Sequence, residues 1–262
     1  MTDPQQTPPA DEQIEFEVIE QAPDRAGHRH RGVYLLPNLF TTAALFSGFY
    51  AILASMNGQF IHAAVAILVA GILDGMDGGV ARLTNTQSQF GAEYDSLSDC
   101  VAFGVAPGVM AYAWAMSDLG NFGRAAAFIY VACAALRLAR FNVQAASSDK
   151  RYFTGLPSPS GAGVVAMTVW VGASRGFDGT DISYLVAFMT AAAGILMVSP
   201  IRYHSFKEFR IGRVPFKMLL AAIVAFAIVF VDPPLVLATV AAAYVLSGPV
   251  LAVLPNLRRQ RG

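Results

Sequence analysis

At 262 residues, 55% hydrophobic and 14% charged, the chain falls well short of the roughly 25% charged composition of soluble proteins, which excludes an ordinary water-soluble globule. Its zero net charge hides an asymmetry: seven acids (Asp3, Asp11, Glu12, Glu15, Glu17, Glu20, Asp24) precede residue 25, and the 18 Lys and Arg from there on face only 11 acids, a net +7. Because those bases sit between long apolar runs, they read as determinants of membrane topology, and nucleic-acid binding is not expected.

Residues 1–32 are polar, contain Pro4, Pro8, Pro9 and Pro23 and show no sustained period, so they are expected to form a disordered acidic tail. Acids open the chain where a signal peptide would carry bases, so no signal peptide is expected. From Tyr34 the sequence alternates apolar stretches with short polar links, and residues 33–262 are expected to form one membrane-embedded domain. Eight spans are predicted, at 34–56, 59–83, 92–117, 124–144, 160–175, 183–199, 215–231 and 235–255. The fifth is short and rich in Gly and Ala, which leaves seven or nine open. With eight spans, the tail, the even-numbered links and the C-terminus share sixteen bases on one side, and the other side holds only Arg124 and Arg175. An odd count would break that partition. The expected fold is therefore an all-α polytopic membrane helix bundle with both termini cytoplasmic. Cys100 and Cys133 lie inside apolar runs and are expected as small buried side chains, in neither a disulfide nor a zinc site.

Acids within the spans demand an explanation, since an ionised carboxylate in hydrocarbon is costly unless it is paired, hydrated or bound to metal. Asp74, Asp77, Gly78, Ala81 and Arg82 share one face at the end of the second span, and Gly91, Asp95 and Asp99 share one at the start of the third. A short link makes the two spans an antiparallel pair, so the stripes can face each other and bring four carboxylates together. Bare, these would repel. Two divalent cations would neutralise them, and an all-oxygen ligand set favours Mg²⁺ or Mn²⁺ over zinc. Gly78, Ala81 and Gly91 keep the cleft clear, and Arg82 adds a planar cation suited to phosphate.

The run from Asp74 through Asp77, Gly78, Ala81 and Arg82, then eight residues, then Gly91, Asp95 and Asp99 matches every fixed position of the signature of the CDP-alcohol phosphotransferase family, and the chain resembles that family over roughly residues 33–210. Four further stretches resemble its phosphatidylserine synthase branch: LPNLFT at 36–41, DSLSD at 95–99, RLARFN at 137–142 with FTGLPSP at 153–159, and MVSPIRYHSFK at 197–207. The resemblance implies a cytoplasm-facing cleft in which CDP-diacylglycerol and L-serine become phosphatidylserine and CMP. It implies Asp74, Asp77, Asp95 and Asp99 as metal ligands, with Asp99 also the base for the attacking hydroxyl. Asn38, Thr41, Gly78, Ala81, Arg82, Ser88 and Gly91 would meet the CDP-diacylglycerol. It also implies a homodimer, with the last spans as a packing surface, in the cell's inner (plasma) membrane.

The serine carboxylate calls for a cation, and the expected candidates are Arg137, Arg140 and Asn142 at the end of span four, Ser158 in the following loop, and Lys207. Arg140 and Asn142 rank first because the branch-like stretch contains them. No Ser, Cys or His in the signature stands beside an obvious base, so sequential transfer is expected over a covalent enzyme intermediate. The signature reads only the shared CDP half, so glycerol 3-phosphate, an inositol or inositol phosphate, or choline stay open as acceptors. A cation transporter is the reading from another class, and the clustering of the acids at one membrane face speaks against it. Trp114 and Trp170 are expected at membrane interfaces, and the Phe residues facing lipid.

Overall fold

A backbone in hydrocarbon has no water to bond, so each apolar run must close its hydrogen bonds within itself, as a helix does. The computed structural model describes residues 35–84, 88–144, 152–204 and 216–259, all within a unit spanning Gly32–Gly262. The acidic tail and Lys207 lie outside the described residues.

Among those residues are eight helical rods: α1 (Leu35–Met56), α2 (Phe60–Thr84), α3 (Gln89–Leu119), α4 (Asn121–Gln144), α5 (Ser158–Ser174), α6 (Ser183–Val198), α7 (Phe216–Val231) and α8 (Pro233–Arg259). Five of them, and α6 together with the 3₁₀ turn Gly179–Ile182 that leads into it, are long and apolar enough to cross a membrane, whereas α5 and α7, of 17 and 16 residues, are shorter. The chain is a polytopic membrane helix bundle. α3 is not uniform: π-helical turns over Cys100–Val105 and Tyr112–Met116 interrupt its α-helical segments, as π-turns often do near functional sites.

The turn between α1 and α2 shows how tightly the rods are joined. Gly58 takes φ +72°, and the amides of Gly58 and Gln59 close back on the carbonyls of Ser55 and Ala54 at 3.1 and 2.8 Å, satisfying the end of α1. At the other end of the bundle the stretches expected as loops pair as strands. β1 (Tyr152–Thr154) lies antiparallel to β2 (Arg202–His204), with Phe153 opposite Tyr203. The amide of Gly155, at φ +86°, donates to Ile201 O at 2.8 Å, and that of Leu156 to Leu196 O at 3.0 Å, tying the start of α5 to the end of α6.

Small side chains form the seam. Ala51, Ala63, Ala64, Ala70, Ala102, Ala106, Ala111 and Ala115 are completely buried, letting backbones approach where lipid supplies no hydrophobic drive between helices. Larger groups face outward, including Phe46, Phe49, Phe188, Phe226 and Phe230, as a lipid-facing surface requires. Trp114, towards the end of α3, is only 7% exposed and is packed against Gly172 and Gly179, where no other residue leaves room for an indole, so its ring is enclosed by protein and not presented to lipid. Cys100 and Cys133 are free thiols, half-buried and not fully enclosed.

Gly48 on α1 makes one of the close approaches in the seam: an added Cβ there would lie 2.7 Å from the Ala102 Cα on α3. Backbone cannot yield as a side chain can, so Gly48→Val is expected to destabilise the bundle by roughly 1–3 kcal/mol. A melting temperature in detergent equal to that of the unsubstituted protein would contradict this packing.

Candidate active site at one end of the bundle

The antiparallel order of the rods brings the start of α1, the end of α2, the start of α3 and the end of α4 to the same end as the β1–β2 pair. On α2 and α3 the signature acids lie at helical spacing, and one carboxylate oxygen from each of Asp74, Asp95 and Asp99 falls within 4.8 Å of the others. All three residues are half-buried. Ligand oxygens sit about 2.0–2.6 Å from a hard divalent cation, so three at this spacing can straddle one. The group contains neither Cys nor His, which fits Mg²⁺ or Mn²⁺ better than zinc.

Asp77 stands beside this group and not in it. It is 5% exposed, its Oδ2 accepts a 2.7 Å hydrogen bond from Thr41 Oγ1, and it remains within electrostatic reach of Asp95 and Asp99. The backbone carbonyl of Thr41 in turn accepts from the buried Ser98 Oγ at 3.1 Å, so one residue of α1 joins α2 to α3. Thr41, expected among the CDP contacts, thus spends its hydroxyl on holding a carboxylate. Ser98 was passed over in the sequence, although it sits inside the DSLSD stretch.

Three other residues expected at CDP meet at one corner. Ser88 caps α3, its Oγ accepting from the Gly91 amide at 3.0 Å, and a Cβ at Gly91 would stand 3.1 Å from that oxygen and 3.5 Å from Asn38 Oδ1. Glycine is what keeps this corner open. Gly78 follows Asp77 on α2 and is half-buried, while the side chains of Ala81 and Arg82 lie outside the described residues. Next to the corner, Thr42 Oγ1 and the Tyr94 hydroxyl are 3.0 Å apart, and Tyr94 stacks on Phe90.

The residues expected at serine separate. Arg137 Nη1 donates to Ser158 Oγ at 2.7 Å, and its guanidinium interacts electrostatically with Asp99, so α4 and α5 both face the acids here. Ser158 is fully buried. Arg140 points elsewhere: it is exposed, with Nη1 3.4 Å from Val198 O at the end of α6. Asn142 is engaged by α3, its Nδ2 donating to Ser96 Oγ at 3.0 Å and to Glu93 Oε2 at 3.4 Å while its Oδ1 accepts from Ser96. Among the described residues, then, Arg137 is the expected serine ligand whose charge reaches the acids. Sequence ranking preferred its neighbours because an arginine's direction depends on a helix phase that the branch-like stretch does not disclose.

Beside the acids, towards the middle of the bundle, lies a cavity of about 460 Å³, walled by Ile67, Gly71 and Ile72 of α2, Phe103 of α3, Met167 of α5 and Tyr244 of α8 among others. Gly71 precedes Asp74 by one turn and Phe103 follows Asp99 by one, so the cavity adjoins the carboxylate group along both helices.

Acids, oxygen-only donors and a facing arginine are the parts of a site for pyrophosphate chemistry, and the known proteins that this chain resembles share that theme. A protein from Helicobacter pylori named CDP-diacylglycerol–serine O-phosphatidyltransferase is 38% identical over 82% of this chain and 90% of its own length. A Mycobacterium tuberculosis protein of the same name is 34% identical over 67% of this chain and 63% of its own length. An archaetidylserine synthase from Methanothermobacter thermautotrophicus is 37% identical over 64% and 69%. The model of the CDP-alcohol phosphatidyltransferase family matches residues 34–198, which carry the whole acidic group and its arginine. By that match and by these relatives, the chain belongs to the CDP-alcohol phosphatidyltransferase family.

Proposed function

We propose that this chain transfers the phosphatidyl group of CDP-diacylglycerol to the hydroxyl of L-serine, giving phosphatidylserine and CMP. The observation that carries the reading is the convergence of the Asp74, Asp95 and Asp99 carboxylates, with the Arg137 guanidinium within electrostatic reach of Asp99, in a chain whose relatives are named for that reaction.

Asp74, Asp95 and Asp99, with Asp77 held in place by Thr41, would bind two divalent cations, Mg²⁺ or Mn²⁺. When bound, such ions clamp a pyrophosphate and offset the charge on a departing phosphate. Asn38, Ser88 and Gly91 form an open corner that suits the nucleotide, joined by Gly78, Ala81 and Arg82 on α2. The adjoining cavity, walled almost wholly by apolar groups, suits an acyl chain of the lipid. Arg137 offers a planar cation to the serine carboxylate, and Ser158 fixes its direction. Asp99 takes the proton of the serine hydroxyl as its oxygen bonds to the β-phosphorus, and the bond to the bridging oxygen breaks to release CMP. Arg140 and Asn142, turned to α6 and α3, brace the end of α4 around Arg137.

The chain is an integral membrane protein, and we place its site and both termini on the cytoplasmic side of the cell's inner membrane on the strength of the sixteen bases that share that side. Residues 1–24 are taken as dispensable for catalysis, and a homodimer is expected from the family.

Purified protein in detergent with Mg²⁺ or Mn²⁺ is expected to release CMP from CDP-diacylglycerol when serine is supplied, and not with glycerol 3-phosphate, inositol phosphate or choline. Release with one of those acceptors instead would overturn the choice of serine while leaving the acidic site intact. Asp99→Asn is expected to lower kcat by at least about a hundredfold, the scale of a general base. Residual activity within a few-fold of wild type would remove Asp99 from that role. Thr41→Val leaves Asp77 without its hydroxyl partner, and loss of a hydrogen bond to a charged group should weaken Mn²⁺ binding roughly tenfold, read by electron paramagnetic resonance without turnover. Unchanged Mn²⁺ affinity would separate Asp77 from the metal site. Reporter fusions after Gly262 should be active only as cytoplasmic reporters, and an insertion at Gly58 only as an external one.

A further inference from the structure

Tyr130 on α4 is completely buried, and its hydroxyl donates to the backbone carbonyl of Phe103 on α3 at 2.9 Å. Phe103 stands within the π-helical turn Cys100–Val105, which begins directly after Asp99. In an α-helix the donor for its carbonyl would be the N–H of residue 107, and residue 107 is proline. A proline inside a helix withholds that bond and crowds the same carbonyl with its ring. Where there is no water, a carbonyl freed in this way has to be met from a neighbouring helix. The turn shows the displaced register directly: the Ala106 amide reaches back five residues, to Val101 O.

The packing around Tyr130 holds it where it is. On α3 a Cβ at Gly108 would stand 3.6 Å from Tyr130 Cδ1, and on α6 one at Gly194 would fall 2.7 Å from Tyr130 Cα, so glycines admit the residue on two sides. Tyr130, Ala134 and Arg137 share one face of α4. Tyr130 meets Phe103, and the buried Ala134 lies against Gly104, where an added Cβ would be 3.3 Å from its own. The next turn of α3 towards its start carries Asp99 and, one turn further, Asp95. A π-turn holds one residue more than an α-turn, so its relaxation to α-helical geometry would rotate that acidic segment by about 100° relative to the seam.

We propose that Tyr130 is a positioning residue for the metal-binding acids: by meeting the carbonyl that Pro107 cannot, its hydroxyl holds the π-turn, and the turn holds Asp95 and Asp99 at the rotation that brings them to Asp74 on α2. Tyr130 has this role only where those acids hold the catalytic cations, as in the function proposed above. Ser47 provides the contrast. Its Oγ makes a buried bond of the same kind, donating from α1 to Ala66 O on α2 at 2.8 Å, but the α-helical donor for that carbonyl is the N–H of Ala70, which is present.

The test is Mn²⁺ binding by electron paramagnetic resonance without turnover, beside CMP release at saturating Mn²⁺, for Tyr130→Phe, which removes only the hydroxyl. Mn²⁺ affinity is expected to fall roughly tenfold or more, the scale on which groups behind metal ligands act. At saturating Mn²⁺, kcat is expected to fall at least about tenfold, as for misplaced catalytic groups. Ser47→Ala should leave both within about twofold, since it frees no carbonyl and lies apart from the turn. In a Pro107→Ala background residue 107 regains an N–H for Phe103 O, and Tyr130→Phe should then lower Mn²⁺ affinity by less than about threefold. Pro107→Ala alone should keep measurable Mn²⁺ binding, because Tyr130 still meets the carbonyl. Unchanged Mn²⁺ affinity in Tyr130→Phe, equal losses in Ser47→Ala, a full additional effect in the Pro107→Ala background, or abolished binding in Pro107→Ala would each overturn the inference. Should Tyr130→Phe not survive purification, Mn²⁺-dependent CMP release per unit of protein in isolated membranes carries the same expectation. If wild type binds Mn²⁺ and releases CMP while Tyr130→Phe matches it, this inference alone falls. If wild type does neither, the reading of the acids falls and takes the inference with it.

Discussion

Mutual repulsion of carboxylates at the end of an apolar bundle is the constraint around which the rest is built. Asp74, Asp95 and Asp99 have oxygens within 4.8 Å of one another, and Asp77 stands within electrostatic reach. In a medium with little water such a group is tolerated only where neighbours hold each member and a positive charge faces it. The neighbours come from all sides: Thr41 on α1 bonds Asp77, Ser98 on α3 bonds the Thr41 backbone, and Arg137 on α4 faces Asp99. No single helix could supply these partners. The site is a property of the bundle's end, and binding of hard cations would relieve the strain that the protein alone only contains.

Holding four helix ends this close requires rods that approach nearly to backbone contact. The alanine seam and Gly48 provide that approach, and the β1–β2 pair ties α5 to α6 just beyond the site. At the opposite end the links are short turns, with Gly58 and Gly120 at positive φ and an Arg175–Asp232 ion pair at 2.8 Å between the end of α5 and the start of α8. That pair is largely exposed and contributes at most about 1 kcal/mol. The division follows from chemistry: one end must hold charges at fixed distances, the other need only reverse the chain.

Much of this was legible in the sequence, for identifiable reasons. Helices were legible because apolar runs of spanning length have no other stable conformation in lipid, and the observed rods begin and end within a few residues of the predicted spans. Asp74, Asp95 and Asp99 were legible because spacings of three and four residues fix a helix face. Asp77 shares that face, yet its partner is Thr41, 36 residues away, and no local period encodes that bond. The same limit separated Arg137 from Arg140. The two lie less than one turn apart, and only the packing of α4 against α5 and α6 decides which one meets the acids. The strand pair escaped notice because each strand has only three residues, and the enclosure of Trp114 because its pocket is made by glycines far along the chain.

The π-helical turn that begins at Cys100, immediately after Asp99, gives α3 a property that an unbroken helix lacks. A π-turn accommodates one residue more than α-helical geometry requires, so the segment before it and the segment after it are rotationally out of phase with a single continuous period. The acidic face ending at Asp99 and the packing face beginning near Phe103 are therefore set independently, the first by the demands of bound charge and the second by the fit of alanines and glycines in the seam. The buried half of α3 thus packs in a phase of its own while the carboxylates keep theirs.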